Sequence, residues 1–377
     1  MQEIALTVVS LVLGAVAGLY LTVRYEDAWK ARRNRRRRLR ASRSIRRDRL
    51  HDEEAVSVGG RLTGFHLVEG DGQAVLEPEN VVIDLRAGTR EPPPAVVALR
   101  QRIRRQLNAA RRSPDDQVTG WNSTTLVSLD GYRVSRSPDR EDIVLHLETH
   151  TTDYATFAAT ALSLDEPIPV TDIHGVEGVS TLRHQFFPTR QAIRTAIRHP
   201  DPDLSNGIGI ALLVFTDDDR VVLSRRRQSS RARPGERDVT VVEGLHAHRD
   251  LRGSGRLDVY QAAIRGCMEE LGVSVRADDV RVLGFGVDMQ FYQWNFLGLV
   301  RLRGTAAELF EAHAISARDR WEGRLESFPA DPELVFSRLG QDGAWDTALV
   351  TAFLAFSHVH GAAATRRAAE RALGRPA

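Results

Sequence analysis

Residues 4–23 read IALTVVSLVLGAVAGLYLTV, twenty residues without a charge. As a helix, a run of that length matches the roughly 30 Å hydrocarbon thickness of a bilayer. The hydroxyls of Thr7, Ser10 and Thr22 can bond back to their own helix, so they do not oppose insertion. Tyr20, Tyr25 and Trp29 fall near the end where interfacial aromatics belong. An arginine run begins directly after the span, whereas the N-terminal flank has no Lys or Arg. The positive-inside rule then places the N-terminus outside and everything from residue 24 onward in the cytoplasm. Ala15-Val16-Ala17 has the spacing of a signal-peptide cleavage site. The charges, however, lie on the wrong side of the apolar core for a cleaved signal. The expectation is a single transmembrane helix over residues 1–23, anchoring the chain in the cell membrane.

The net charge of +2 conceals an asymmetry. Residues 24–50 hold 13 basic and three acidic side chains, a net of +10, so the body from residue 51 onward is acidic at −7. The basic segment at 24–57 could neutralise nucleic-acid phosphates. It has no aromatic interleaving between Ala31 and Leu50, and a collar held against anionic lipid headgroups accounts for it better. Lys30 is the only lysine, which points to a compositional bias toward arginine. Cys267 is the only cysteine, so no internal disulfide is possible.

Residues 58–200 read as an α/β region without a defined chemical motif. A helix is expected over 96–112, after Pro92-Pro93-Pro94. Strands are expected at 126–136 and 143–150, with Asp130-Gly131 as a hairpin turn inside the first. His146 and His150 are read as structural. From 209 to 227, two apolar runs flank an Asp-rich turn, and 237–250 supplies a further strand ending at Glu243-Gly244. A helix follows over 257–273. Asp258 can cap its N-terminus, and Gly272 suits the left-handed position at its end. Val259, Ala263 and Cys267 make its apolar stripe, with Arg265, Glu269 and Glu270 on or near the other side. Strand character resumes over 280–304. Residues 346–360 read as a packed helix, followed by a polar tail.

Strand, turn, strand, acidic loop and helix, strand: this order resembles the Nudix hydrolase family. That family's signature is G-x5-E-x7-R-E-U-x-E-E-x-G-U, with U a bulky apolar residue. Arg265, Glu269, Glu270, Gly272 and Val273 match it, and Cys267 stands at the first U. The resemblance implies an α+β fold, a mixed-sheet α/β/α sandwich over 201–345, followed by a C-terminal helix and tail over 346–377. Two positions depart from the pattern. Gly266 replaces the glutamate of the R-E pair, which would have stood one turn before Glu270. Counted back without gaps from Arg265, Leu257 falls at the first glutamate and Leu251 at the glycine. Gly244 can take the glycine's role only if HRDLRGSGR is an insertion.

Carboxylates on one helical face form a hard oxygen site for Mg²⁺ or Mn²⁺, which can bridge diphosphate oxygens and position a water. The site implied here has Glu269 and Glu270 as metal ligands and Arg265 as their orienting partner. Glu322 or Glu326, from a later segment, would be the replacement acid. The expected ligand is a nucleoside-diphosphate-linked small molecule. Hydrolysis of that ligand, nucleotide sensing at the membrane without turnover, and a protein scaffold are all consistent with the residues.

Overall fold

The computed structural model describes residues 54–110, 125–137, 142–171, 177–228, 233–319, 323–341 and 344–374. The expected membrane span at 4–23, the arginine collar and Glu322 lie outside these residues. Among the described residues no helix is long and apolar enough to cross a membrane.

Among the described residues there are fourteen strands: β1 (Ala55–Val58), β2 (Arg61–Glu69), β3 (Val81–Thr89), β4 (Leu126–Arg136), β5 (Ile143–Thr152), β6 (Pro167–Thr171), β7 (Glu177–Thr181), β8 (Ile208–Thr216), β9 (Arg220–Arg226), β10 (Arg237–Asp238), β11 (Val241–Gly244), β12 (Val280–Asp288), β13 (Gln293–Leu302) and β14 (Gly323–Pro329). Five of the helices position the site or its supports: α1 (Pro94–Ala110), α2 (Tyr154–Thr160), α3 (Val259–Gly266), α4 (Asp346–His360) and α5 (Ala362–Leu373).

The architecture follows from β8, IGIALLVFT, in which every residue is buried. A strand covered on both faces needs apolar side chains at every position rather than at alternate ones. One edge of β8 pairs in parallel with β13. The other edge is shared, with β11 along its first half and β9 along its second, both antiparallel. Thr240 fills the junction. Its hydroxyl bonds the Val222 carbonyl and accepts from the Val214 amide at 2.9 Å. The sheet's main path runs β1-β2-β12-β13-β8-β9-β10, with β14 alongside β9.

Alternate residues of β8 go to opposite layers. Ile210, Leu212 and Val214 join the core of α3, with Tyr260, Ala263 and Cys267. Ala211, Leu213 and Phe215 join the core of α4, with Leu349, Ala352 and Phe356. The result is an α+β molecule with helices on both faces of a mixed sheet. Residues 55–69 supply strands β1 and β2 to that sheet, across the division drawn at 200 in the sequence. A smaller sheet, β3-β5-β4, shares the α3-side core through Ile83, Leu145 and Leu147, together with Val96 and Ile103 of α1.

Two expectations, the Asp130-Gly131 hairpin and the polar tail, are corrected. Asp130-Gly131 is not a hairpin, because β4 runs continuously through it with a bulge between Leu129 and Gly131. The bulge turns the Asp130 carboxylate onto His150 Nδ1, 2.9 Å away, and Arg90, 3.0 Å away. The strand character expected over 280–304 is present, as two strands with a turn at residues 289–292. The polar tail is α5, whose Ala368 and Ala369 are buried.

Candidate functional site

The site is built where β11 hands over to α3. After Gly244 the chain forms a short loop whose end is held by Asp250. This side chain has no solvent exposure and accepts from the His246 amide at 2.7 Å. Leu251 then pairs with Leu257, pinching off an exposed excursion over 251–257. The chain returns beside its point of departure, since the Asp258 amide donates to the Asp250 carbonyl at 2.8 Å. Asp258 also caps α3 by accepting from the Tyr260 amide at 2.8 Å. Asp250 and Asp258 are thus neighbours in space, with seven residues looped out between them.

Arg265, near the end of α3, is the hub. Its Nε and one terminal nitrogen grip the two Asp250 oxygens at 2.7 and 2.8 Å, and that same nitrogen donates to the Gly244 carbonyl at 2.7 Å. The other terminal nitrogen lies 3.0 Å from Glu243 and 3.1 Å from Glu269. Burial alone would lower the pKa of this guanidinium. Its bonds and charge pairing with Asp250 and Glu243 outweigh that and raise it. Arg265 is a permanent cation that organises acids from three segments of chain.

Beyond Gly266 the helix widens into a single π-turn over Cys267–Leu271, ended by Gly272 at φ 73°, where a side chain would be strained. Glu269 is buried within this turn. One of its oxygens bonds Arg249. The other accepts from Arg265 and, at 2.6 Å, from Arg318. Glu270 accepts from the Val242 amide at 3.0 Å. Gly266 has ordinary helical backbone angles, so its role is spatial. A Cβ there would meet Val241 Cγ1 at 2.9 Å and Glu243 Cβ at 3.0 Å. The space that a side chain at 266 would occupy is filled from the strand by Glu243.

Among the described residues no three His, Cys, Asp or Glu side chains converge as a metal site. The donors expected to hold Mg²⁺ or Mn²⁺ are engaged elsewhere. Glu269 faces three guanidinium groups, and Glu270 holds a strand amide. As arranged, this set does not fit a divalent cation. Glu326 is paired with Arg237 and Arg324, both at 2.8 Å, on β14.

These groups form one wall of a cavity of about 210 Å³. Arg226 and Arg233 add two more cations. Arg233 is itself buried, 2.7 Å from Asp238 and stacked 3.8 Å over the Trp345 ring. Apolar groups complete the lining, with Leu126 from β4, Tyr154 and Phe157 from α2, and Phe291 from the β12–β13 turn. Burial, together with the charge of Arg265, lowers the pKa of the cavity-lining His246, whose Nε2 lies 2.8 Å from the Thr125 hydroxyl.

Sequence reasoning brought Gly244, Arg265, Glu269 and Glu270 to one place, and the structure does the same. It missed Asp250, Glu243, Arg249, Arg318 and the aromatic wall. A count of six residues forward from Gly244 would have reached Asp250. In a chain this rich in arginine, no signal distinguished Arg249 and Arg318 from the rest.

No family model matches this chain, and no curated protein matches it. Among solved structures it is similar to DR0079 from Deinococcus radiodurans, at 18% identity and a TM-score of 0.28, over 49% of this chain and 97% of that one.

Proposed function

We propose that this chain is a divergent Nudix-like module whose cavity binds a nucleoside-diphosphate-type ligand, and that binding rather than hydrolysis is its principal activity. One observation carries the reading. With the excursion at 251–257 left out, the chain runs Gly244, five residues, Asp250, seven residues, Arg265, and then Glu269, Glu270, Gly272 and Val273. That is the spacing of the signature, with aspartate for its first glutamate. Gly266 remains the one acidic position lost. The cavity suits such a ligand in kind, since its lining holds arginines for phosphate oxygens and aromatic rings for a planar base. Binding is favoured over turnover because, among the described residues, each of the lining acids Glu243, Glu269, Glu270 and Asp319 is already held by a cation or a backbone amide. None is left as a base for an attacking water.

The uncharged run at 4–23 and its arginine collar would tether this module to the membrane with the folded body in the cytoplasm. A reporter fused after Ala377 should be active in the cytoplasm, and extracytoplasmic activity would overturn that placement.

The test of function is a thermal-shift screen of the full chain against nucleoside mono-, di- and triphosphates and diphosphate-linked sugars. It is run with and without Mg²⁺, and product release is followed in parallel. Stabilisation by diphosphates with little or no turnover is the expected result. Brisk turnover would replace the binding reading with an enzyme. No shift from any nucleotide in either condition would leave the scaffold reading in its place.

A further inference from the structure

The carboxylates and guanidinium groups around Glu269 are arranged in two tiers. Glu269 lies deep, with its side chain 7% exposed, whereas Arg249 and Arg318 above it are 47% and 40% exposed. These two cations are also more exposed than the neighbouring acids Glu243, at 19%, and Asp319, at 8%. Five arginines line the cavity against four carboxylates, so the wall is close to neutral, with a small excess of positive charge. In a site that recruits a divalent cation the acids dominate, because their mutual repulsion is what the metal relieves. Here guanidinium groups have taken that role. Arg265 is fixed by Asp250 and Glu243, while Arg249 and Arg318 are the partners of Glu269 with solvent access.

We propose that the cavity takes the diphosphate group of its ligand without a divalent cation. Arg249 and Arg318 exchange the Glu269 carboxylate for phosphate oxygens, and Glu269 acts as a built-in competitor holding them in place until ligand arrives. This rests on the anionic-ligand reading above and adds the cation dependence of the site and the sign of Glu269's contribution. A phosphate oxygen is a suitable substitute, since guanidinium groups pair with carboxylate and phosphate in the same forked geometry. The exchange conserves ion pairs at the arginines. Glu269, left with Arg265 at 3.1 Å, keeps one cation and is not stranded.

The experiment is isothermal titration of the full chain, purified in detergent, with inorganic pyrophosphate, once in EDTA and once in excess Mg²⁺. A separate titration uses Mg²⁺ alone. Pyrophosphate is expected to bind in EDTA, to bind no more than about threefold more tightly in Mg²⁺, and Mg²⁺ alone to give no saturable heat. Arg249→Gln and Arg318→Gln should each weaken binding in EDTA about tenfold or more, the loss of a charge-assisted hydrogen bond. Glu269→Gln should tighten it, because the competitor loses its charge while its shape is kept. If Glu269→Gln fails to fold, the two arginine variants and the metal titration decide the matter. Binding that appears only with Mg²⁺ and is lost in Glu269→Gln would overturn this inference and leave the anionic-ligand reading standing. Absence of pyrophosphate binding in both conditions would overturn both.

Discussion

Gly266 offers the sharpest test of how α3 and β11 are fitted together. In an isolated helix, replacing glycine by alanine stabilises by about 1 kcal/mol, because the unfolded chain loses freedom and the helix loses none. At this position the new Cβ would stand 2.9 Å from Val241 Cγ1 and 3.0 Å from Glu243 Cβ. Neither neighbour yields easily. Val241 is fully buried on a strand paired to β8, and Glu243 is tied to Arg265 at 3.0 Å. Overpacking of this kind costs about 1–3 kcal/mol. The sum for Gly266→Ala is then a loss of roughly 1 kcal/mol, the reverse of the helical preference. Gly266→Glu should lose more, about 3 kcal/mol, since it also forces a second carboxylate beside Glu243. Urea denaturation followed by fluorescence of the buried Trp294 and Trp345 reads both changes. Val241→Ala in the Gly266→Ala background should recover part of the loss, which a double-mutant cycle isolates. A Gly266→Ala protein about 1 kcal/mol more stable than the parent would refute the steric account and leave only helix propensity.

Other outcomes follow from the same contacts. Arg265→Ala leaves the unexposed Asp250 with a backbone amide and no cation, and should cost about 3–5 kcal/mol in the same denaturation assay. Adding Asp250→Asn to that variant should restore part of it. Replacing residues 252–256 by Asn-Gly keeps Leu251 and Leu257 paired and removes the Arg252–Asp258 ion pair at 2.7 Å. Its cost should stay near 1 kcal/mol, and a loss above about 3 kcal/mol would show that the excursion supports the site. Burial holds the pKa of both His246 and His150 below the ordinary 6.5, the latter despite Asp130. Both groups therefore favour the fold fully above pH 6.5, and that contribution is lost as pH falls from 6.5 toward their folded values. Thermal melts should decline over that window, and His246→Asn should flatten the decline. An unchanged slope in that variant would remove His246 from the account.

What was legible in the sequence was legible because local chemistry and tertiary need agreed. Asp258 and Gly272 bracket the helix that carries Arg265 and Glu269, and the structure uses both as a cap and a stop. The Asp-rich turn between β8 and β9 holds as read, with Asp219 at φ 54°. Where the sequence carried no local signal, or its reading failed, a tertiary contact decided the structure. The turn between β12 and β13 carries no glycine or proline. Its Tyr292 takes φ 49°, held there by a buried hydroxyl that donates to the Ala196 carbonyl at 2.8 Å. Asp130-Gly131 has the composition of a turn, but the hydrogen bond with His150 and the ion pair with Arg90 hold the aspartate in a bulge. The final Ala/Arg segment looks polar, yet its alanines permit close approach to β1. There Gly59 has no room for a Cβ, with the Ala369 carbonyl oxygen at 2.2 Å from that position. Asp250 was hidden because spacing in sequence is not spacing in space once seven residues loop out.

The middle of the chain, which has no chemical motif of its own, turns out to hold the loop on which Asp250 depends. The Val127 amide donates to the Leu245 carbonyl at 3.0 Å, and the Ala247 amide donates to the Thr125 carbonyl at 2.8 Å. Leu126 pairs with His246 between them. The start of β4 therefore acts as an extra strand beside the segment that leaves β11, fixing the loop before it reaches Asp250. The same strand contributes Leu126 to the apolar wall of the cavity, and α2, which follows β5, contributes Tyr154 and Phe157. A signature confined to one loop and one helix could not have revealed this, because the signature supplies only the charged side of the cavity. Leu126, Tyr154 and Phe157 of its apolar lining, and the hydrogen bonds that support the loop ahead of Asp250, come from far earlier in the chain, and Phe291 comes from beyond the signature helix. Ligand selectivity in this protein should accordingly follow substitutions at Tyr154 and Phe157 more closely than changes within the signature helix, which governs the charge that any phosphate would meet.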